Sequence, residues 1–214
     1  MDNLSKYIDH TILKPEATKK DIKRICEEAK EYKFKAVCIN PIYVKYASEV
    51  LKNTDVLVAT VIGFPLGNNL AKVKAFETEL ALEDGADEID MVINIAAVKN
   101  KEYILVKNDI ESVVKASKDK VVKVIIETCL LTKEEIVKSS EIILEAGANF
   151  VKTSTGFSTG GAEIEDVELI KSVVKNKAKI KASGGIRNKE KAIKMIEAGA
   201  DRIGASSSIN IVKG

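Results

Sequence analysis

The stretch LALEDGADEIDMV (80–92) decides the fold, because its pattern returns as LEAGANFVKT (144–153) and IEAGADRIGAS (196–206). Each copy reads as the end of a helix, a glycine, a small linker and then an apolar strand. Gly85, Gly147 and Gly199 stand where a helix adopts a left-handed cap before turning sharply, a conformation that costs glycine little. The repeated junction is that of helices feeding strands in a βα architecture. Its spacing is too loose for a solenoid.

Working outward from these junctions gives eight expected strands, at 6–11, 36–40, 55–62, 87–94, 121–128, 149–153, 178–183 and 201–205. Runs such as VLVATVIG and VVKVIIET are nearly continuous in apolar side chains, as strands covered on both faces are. Helical spacing appears between them. Ile136, Ser140, Ile143 and Leu144 mark one face, and Ile164, Val167, Ile170 and Val174 another. Thr18, Thr132 (with Glu135 three residues on) and Asn188 are the expected N-caps. A doubly wound sheet would place a glycine fingerprint after an early strand, but 36–45 reads AVCINPIYVK. No Pro/Ser-rich linker or composition break divides the chain. The expectation is an α/β protein, a single (β/α)8 TIM barrel over residues 1–214, with its chemistry at the C-terminal ends of the strands.

Composition narrows the function. Apolar residues make up 45% and charged residues 31%, a globular balance. The 34 basic and 32 acidic side chains leave a formal charge of +2 without a block of one sign, so neither nucleic acid nor a membrane surface is an expected partner. No apolar run approaches the roughly 20 residues of a membrane span. The opening MDNLSKYIDHTILK reads as no secretory signal. Cys26, Cys38 and Cys129 are odd in number and widely separated, which favours free thiols and a cytoplasmic location. His10 is the only histidine, so zinc catalysis would need an unusual ligand set; its plain reading is a packed structural side chain. No metal or cofactor is expected.

Charged residues inside the apolar strands point to chemistry. Asp90 lies in DEIDMVIN, Lys152 in NFVKTSTG and Lys181 in AKIKASGG. A buried charge is costly unless it is paired or functional. The sixth and seventh strands are neighbours about 4.8 Å apart, so both lysines can face one cavity. Burial and a second cation each favour the free amine of a lysine, whose usual pKa is about 10.4. Such an amine forms a Schiff base with a carbonyl, and the iminium is an electron sink for carbon–carbon cleavage. Asp90 can exchange the protons. An anion cradle completes the set: Gly184, Gly185, Ser206 and Ser207 follow the last two strands, where phosphate often lies in such barrels, and KTSTG (152–156) forms a third loop of this kind.

Over nearly its whole length the sequence resembles the deoxyribose-phosphate aldolase family of Schiff-base (class I) aldolases. The resemblance rests on IDHTILKP (8–15), AVCINP (36–41), VIGFPLG (61–67), EIDMVIN (88–94), FVKTSTGF (150–157), KASGGIR (181–187) and RIGASS (202–207). It implies reversible cleavage of 2-deoxy-D-ribose 5-phosphate to D-glyceraldehyde 3-phosphate and acetaldehyde. It further implies Lys152 as Schiff-base lysine, Lys181 as the second lysine that lowers its pKa, and Asp90 as relay carboxylate. Gly156, Gly184, Gly185, Ser206 and Ser207 match the phosphate surface, while Thr11, Cys38 and Thr155 match pocket residues. The sequence departs from the family pattern in two places. Phe157 stands where some members carry a lysine, and the tyrosine-ended tail of many members is missing from a sequence ending at Gly214. A homodimer or tetramer is the implied assembly, with a homodimer expected here. Two other readings of the residues stay open: a phosphosugar isomerase with Asp90 as base, and a non-catalytic sugar-phosphate-binding barrel.

Overall fold

The computed structural model describes residues 4–214, so the first three residues of the expected domain and of the opening segment lie outside the described residues. Eight parallel strands close into a barrel in sequence order. They are β1 (Ile8–Ile12), β2 (Ala36–Ile39), β3 (Leu57–Ile62), β4 (Glu88–Val92), β5 (Val121–Ile125), β6 (Phe150–Lys152), β7 (Lys179–Ser183) and β8 (Arg202–Ala205). Closure is made by β1 pairing with β8, Asp9 opposite Gly204. Each strand falls within or against its expected span; β5 ends three residues early, where the backbone turns left-handed at Glu127.

Helices follow the strands: α1 (Lys19–Glu31), α2 (Val44–Val50), α3 (Ala71–Glu83), α4 (Ile95–Lys99), α5 (Tyr103–Ala116), α6 (Lys133–Glu145), α7 (Ile164–Val174), α8 (Lys189–Glu197) and α9 (Ser208–Lys213). The expected starts are made as read. Thr18 and Thr132 each close a capping box, with Asp21 and Glu135, and the Asn188 side chain accepts from the Lys191 N–H. Gly199, just past α8, has φ of 116°, and a Cβ there would meet the Lys171 side chain at 2.9 Å. A side chain is excluded twice over at that turn.

The main core lies between strands and helices, where residues such as Ile22, Val106, Ile143 and Val167 are fully buried. Inside the barrel, small apolar residues of β2 and β3, among them Ala36, Cys38, Ala59 and Val61, form a separate cluster with Leu13. The interior also holds a cluster of buried charged side chains. Outside the barrel, Lys74 of α3 donates to Asp109 of α5 at 2.6 Å and to the Val92 carbonyl at 2.9 Å, both side chains buried. Removing one partner of such a pair strands the other charge at a cost of about 3–5 kcal/mol. Asp109→Ala is therefore expected to lower unfolding stability by about that amount in urea titrations, against little change for an exposed pair such as Lys194–Glu190.

Candidate active site

Barrel closure fixes which side chains meet. Lys152 and Lys181 are direct partners in the β6–β7 register, as are Asp90 and Lys123 across β4 and β5, and Lys181 and Arg202 across β7 and β8. All of these point into the barrel and are buried. The Asp90 Oδ2 atom accepts from Lys152 Nζ and from Lys181 Nζ, each at 2.7 Å, while its Oδ1 accepts from Lys123 Nζ at 2.8 Å. Lys181 also donates to Asp9, Lys123 pairs with Glu88 at 2.7 Å, and Arg202 bridges Asp9 and Glu88.

The charge balance of this cluster singles out one amine. Three carboxylates (Asp9, Glu88 and Asp90) face four cations (Lys123, Lys152, Lys181 and Arg202), which leaves one positive charge uncompensated. Lys123, Lys181 and Arg202 each touch two of the carboxylates. Lys152 touches only Asp90, through the oxygen it shares with Lys181. In a buried site the excess proton leaves where it is least compensated, and that is Lys152.

Burial and the neighbouring charges act in the same sense. Burial lowers the Lys152 pKa most, Asp90 opposes it and Lys181 adds to the lowering; the balance lies below an ordinary lysine. Burial acts the same way on Lys181, but Asp9 and Asp90 together outweigh it and hold that amine above its ordinary value. Against the cost of burial, Lys123, Lys152 and Lys181 keep Asp90 well below the usual carboxylate range. Asp9 goes down to about 2, Lys181 and Arg202 overcoming its burial. A carboxyl depressed in the folded state contributes stability that is complete above its unfolded pKa, near 4, and is lost as pH falls through the folded value. Unfolding midpoints are accordingly expected to drop as pH is lowered from about 4 toward 2, and an Asp9→Asn variant should show a shallower fall.

Lys152 opens onto a cavity of about 400 Å³ walled by the loops after β1, β6, β7 and β8. Thr11, Thr155, Gly156, Gly184, Gly185 and Ser206 line it. Gly184, with φ of 85°, packs so closely on Gly161 that a Cβ would meet its Cα at 2.9 Å. Phe157 also lines it and stacks edge-on against Phe64, ring centroids 5.2 Å apart. Two singled-out residues are set back from the wall. Cys38 lies buried within the barrel, its Sγ 4.0 Å from Asp90 Oδ2, and Ser207 sits at the start of α9. Burial raises the Cys38 thiol, whose anion is therefore disfavoured. His10 is away from the lysines, held between Ser208 Oγ at 2.9 Å and Glu28 at 2.6 Å.

Sequence reading missed four of the seven residues of the charged cluster: Asp9, Glu88, Lys123 and Arg202. Lys123 carried a usable signal, as the lone charge in VVKVI. Two exposed cations of the cavity mouth, Lys14 and Arg187, were also passed over; with only three arginines in the chain, Arg187 within KASGGIR was conspicuous. Among the described residues, no helix is long and apolar enough to cross a membrane.

A closed parallel barrel with buried charged side chains gathered below a cavity at the C-terminal ends of its strands is the architecture of an enzyme. Comparison with known proteins gives that class its family. Residues 4–214 match the DeoC/LacD family aldolases, and the chain belongs to that family. It is 61% identical over 211 residues to a deoxyribose-phosphate aldolase of Finegoldia magna, covering 99% of each chain. Against the enzyme of the same name from Clostridium tetani it is 60% identical, covering 98% of both. Among solved structures, it superposes on QR15, an aldolase, with a TM-score of 0.96 at 48% identity, covering 100% of this chain and 96% of that one. The tetrameric deoxyribose phosphate aldolase of Aeropyrum pernix gives 0.92 at 35% identity, over 98% and 89% of the two chains.

Proposed function

We propose that this protein cleaves 2-deoxy-D-ribose 5-phosphate reversibly to D-glyceraldehyde 3-phosphate and acetaldehyde, with Lys152 as the nucleophile. The observation that carries the assignment is the charge balance of the barrel interior, which frees the Lys152 amine while holding Lys181 protonated 2.7 Å from the same Asp90 oxygen. The neutral amine adds to the carbonyl of the open-chain sugar, and loss of water gives the iminium. The proton of the 3-hydroxyl passes to Asp90, directly or through a water, as the C2–C3 bond breaks toward the iminium. Glyceraldehyde 3-phosphate leaves. The enamine takes a proton at carbon, and water releases acetaldehyde and the free amine.

The far end of the cavity suits the phosphate. The Gly184–Gly185 backbone, Ser206 and the Arg187 and Lys14 side chains offer donors and positive charge there, and Ser207 starts the helix behind them. Binding energy from that end orients the reacting carbons. Phe157 contributes no charge, so this cradle relies on backbone, hydroxyl and arginine donors. The isomerase and binding-only readings find no observation in their favour. We also assign a homodimer in the cytoplasm: α3 leaves Val73, Phe76 and Leu80 exposed in one apolar face, and the thiols of Cys26 and Cys38 are buried and free. Incubation with 2-deoxyribose 5-phosphate is expected to release equal amounts of acetaldehyde and glyceraldehyde 3-phosphate. Consumption of the sugar without acetaldehyde would overturn the assignment.

A further inference from the structure

One buried carboxylate beside this cavity has no part in the chemistry above. Glu127 is two residues past the end of β5, 2% exposed, with φ of 55°. A left-handed backbone is unusual for a residue other than glycine and is tolerated where the surroundings insist on it. Here pairing with the β6 side is kept on both sides of the kink: the Ile126 N–H donates to the Lys152 carbonyl at 3.0 Å and the Thr128 N–H to the Thr153 carbonyl at 2.9 Å. Between those two anchors the Glu127 side chain is turned onto Thr155. Its oxygens accept the Thr155 N–H at 3.2 and 3.3 Å and the Thr155 hydroxyl in a short bond. The Thr155 Oγ1 in turn accepts the Phe157 N–H at 3.0 Å.

These bonds run in one direction. The hydroxyl proton is committed to Glu127, a lone pair is committed to Phe157, and the turn Thr155–Gly156–Phe157 is closed on the carboxylate. All three residues of that turn line the cavity that holds Lys152. We infer that Glu127 is a positioning residue for substrate binding: it fixes the β6 loop in the shape that receives the hydroxylated, phosphorylated end of the sugar. This deepens the aldolase reading and rests on it. Glu127 makes no ion pair with any of the three lysines of the cluster, and its hydrogen bonds all go to the Thr155 turn, so its main effect belongs to binding.

The test is a double-mutant cycle on the full chain with 2-deoxyribose 5-phosphate. Glu127→Gln keeps the shape but faces the Thr155 N–H with an amide group. It is expected to raise KM about tenfold with kcat within about twofold, the scale of one charge-assisted hydrogen bond. Thr155→Val removes the hydroxyl and should raise KM at least as much. The double variant should be no worse than Thr155→Val alone, because both changes break the same link. Multiplying effects, an unmoved KM, or a fall in kcat at constant KM would each overturn the inference. Should the glutamine variant fail to fold, Glu127→Asp, too short to span both Thr155 donors, must show the same rise. Adduct formation between acetaldehyde and Lys152 under borohydride separates the two ideas. If the wild type forms none, the aldolase reading fails; if it forms one while the variants leave KM unmoved, only the role of Glu127 fails.

Discussion

Lys152→Ala is expected to lower cleavage of 2-deoxyribose 5-phosphate by about 10⁵-fold, the scale on which enzymes lose rate when a covalent nucleophile is deleted. Nothing else in the site replaces it. Lys181 lies 2.7 Å from Asp90 and touches Asp9 as well, and both hold its proton. Lys123 is likewise shared between Glu88 and Asp90. The same accounting predicts what happens to the fold. Removing Lys152 leaves three carboxylates facing three cations, so a volume-keeping Lys152→Met variant is expected to unfold no more easily than the wild type. Inactive but equally stable protein is the signature of an amine kept for chemistry against the electrostatic interest of its surroundings. A Lys152→Met variant with a clearly lower unfolding midpoint would show instead that the amine serves the barrel. Activity is read by acetaldehyde release and stability by urea unfolding at one pH.

Asp90→Asn should separate capture of the aldehyde from turnover. Within the cluster, Asp90 is the carboxylate touched by three lysines. Its neutralisation leaves two carboxylates against four cations, which favours the free amine of Lys152 still further. Acetaldehyde is therefore expected to label Lys152 under borohydride in this variant as well. Turnover should fall by about 10²–10⁴-fold, the usual contribution of a positioned proton carrier. Stability should fall by about 3–5 kcal/mol, because buried ammonium groups lose their counter-charge. Turnover within a few-fold of the wild type would remove Asp90 from the proton path. Parallel loss of labelling would mean that it is needed to make the iminium and not only to use it.

The barrel was legible because its junctions are written in residues with strong backbone preferences. Gly85, Gly147 and Gly199 all take positive φ, and apolar runs between them become the strands. Lys152, Lys181 and Asp90 stood out as charges amid apolar neighbours. Asp9, Glu88 and Arg202 did not, since each sits near the start of its strand, where a charge reads as an exposed end. Only closure of β8 onto β1 and the crossing of the interior bring them together. Linear spacing also hid Glu127, which read as part of the end of a strand, whereas the kink there turns it onto Thr155, 28 residues later.

We propose that the unbalanced charge of the barrel interior makes Lys152 the reactive amine. Borohydride reduction of the wild-type protein in acetaldehyde, followed by peptide mass mapping across a pH series, tests it most directly. The expected result is a two-carbon adduct on Lys152 alone, with labelling that reaches half its maximum well below the pH at which an ordinary lysine, of pKa about 10.4, loses its proton. Labelling of Lys181 or Lys123 in its place, or a Lys152 adduct that appears only at the pH of an ordinary lysine, would contradict it.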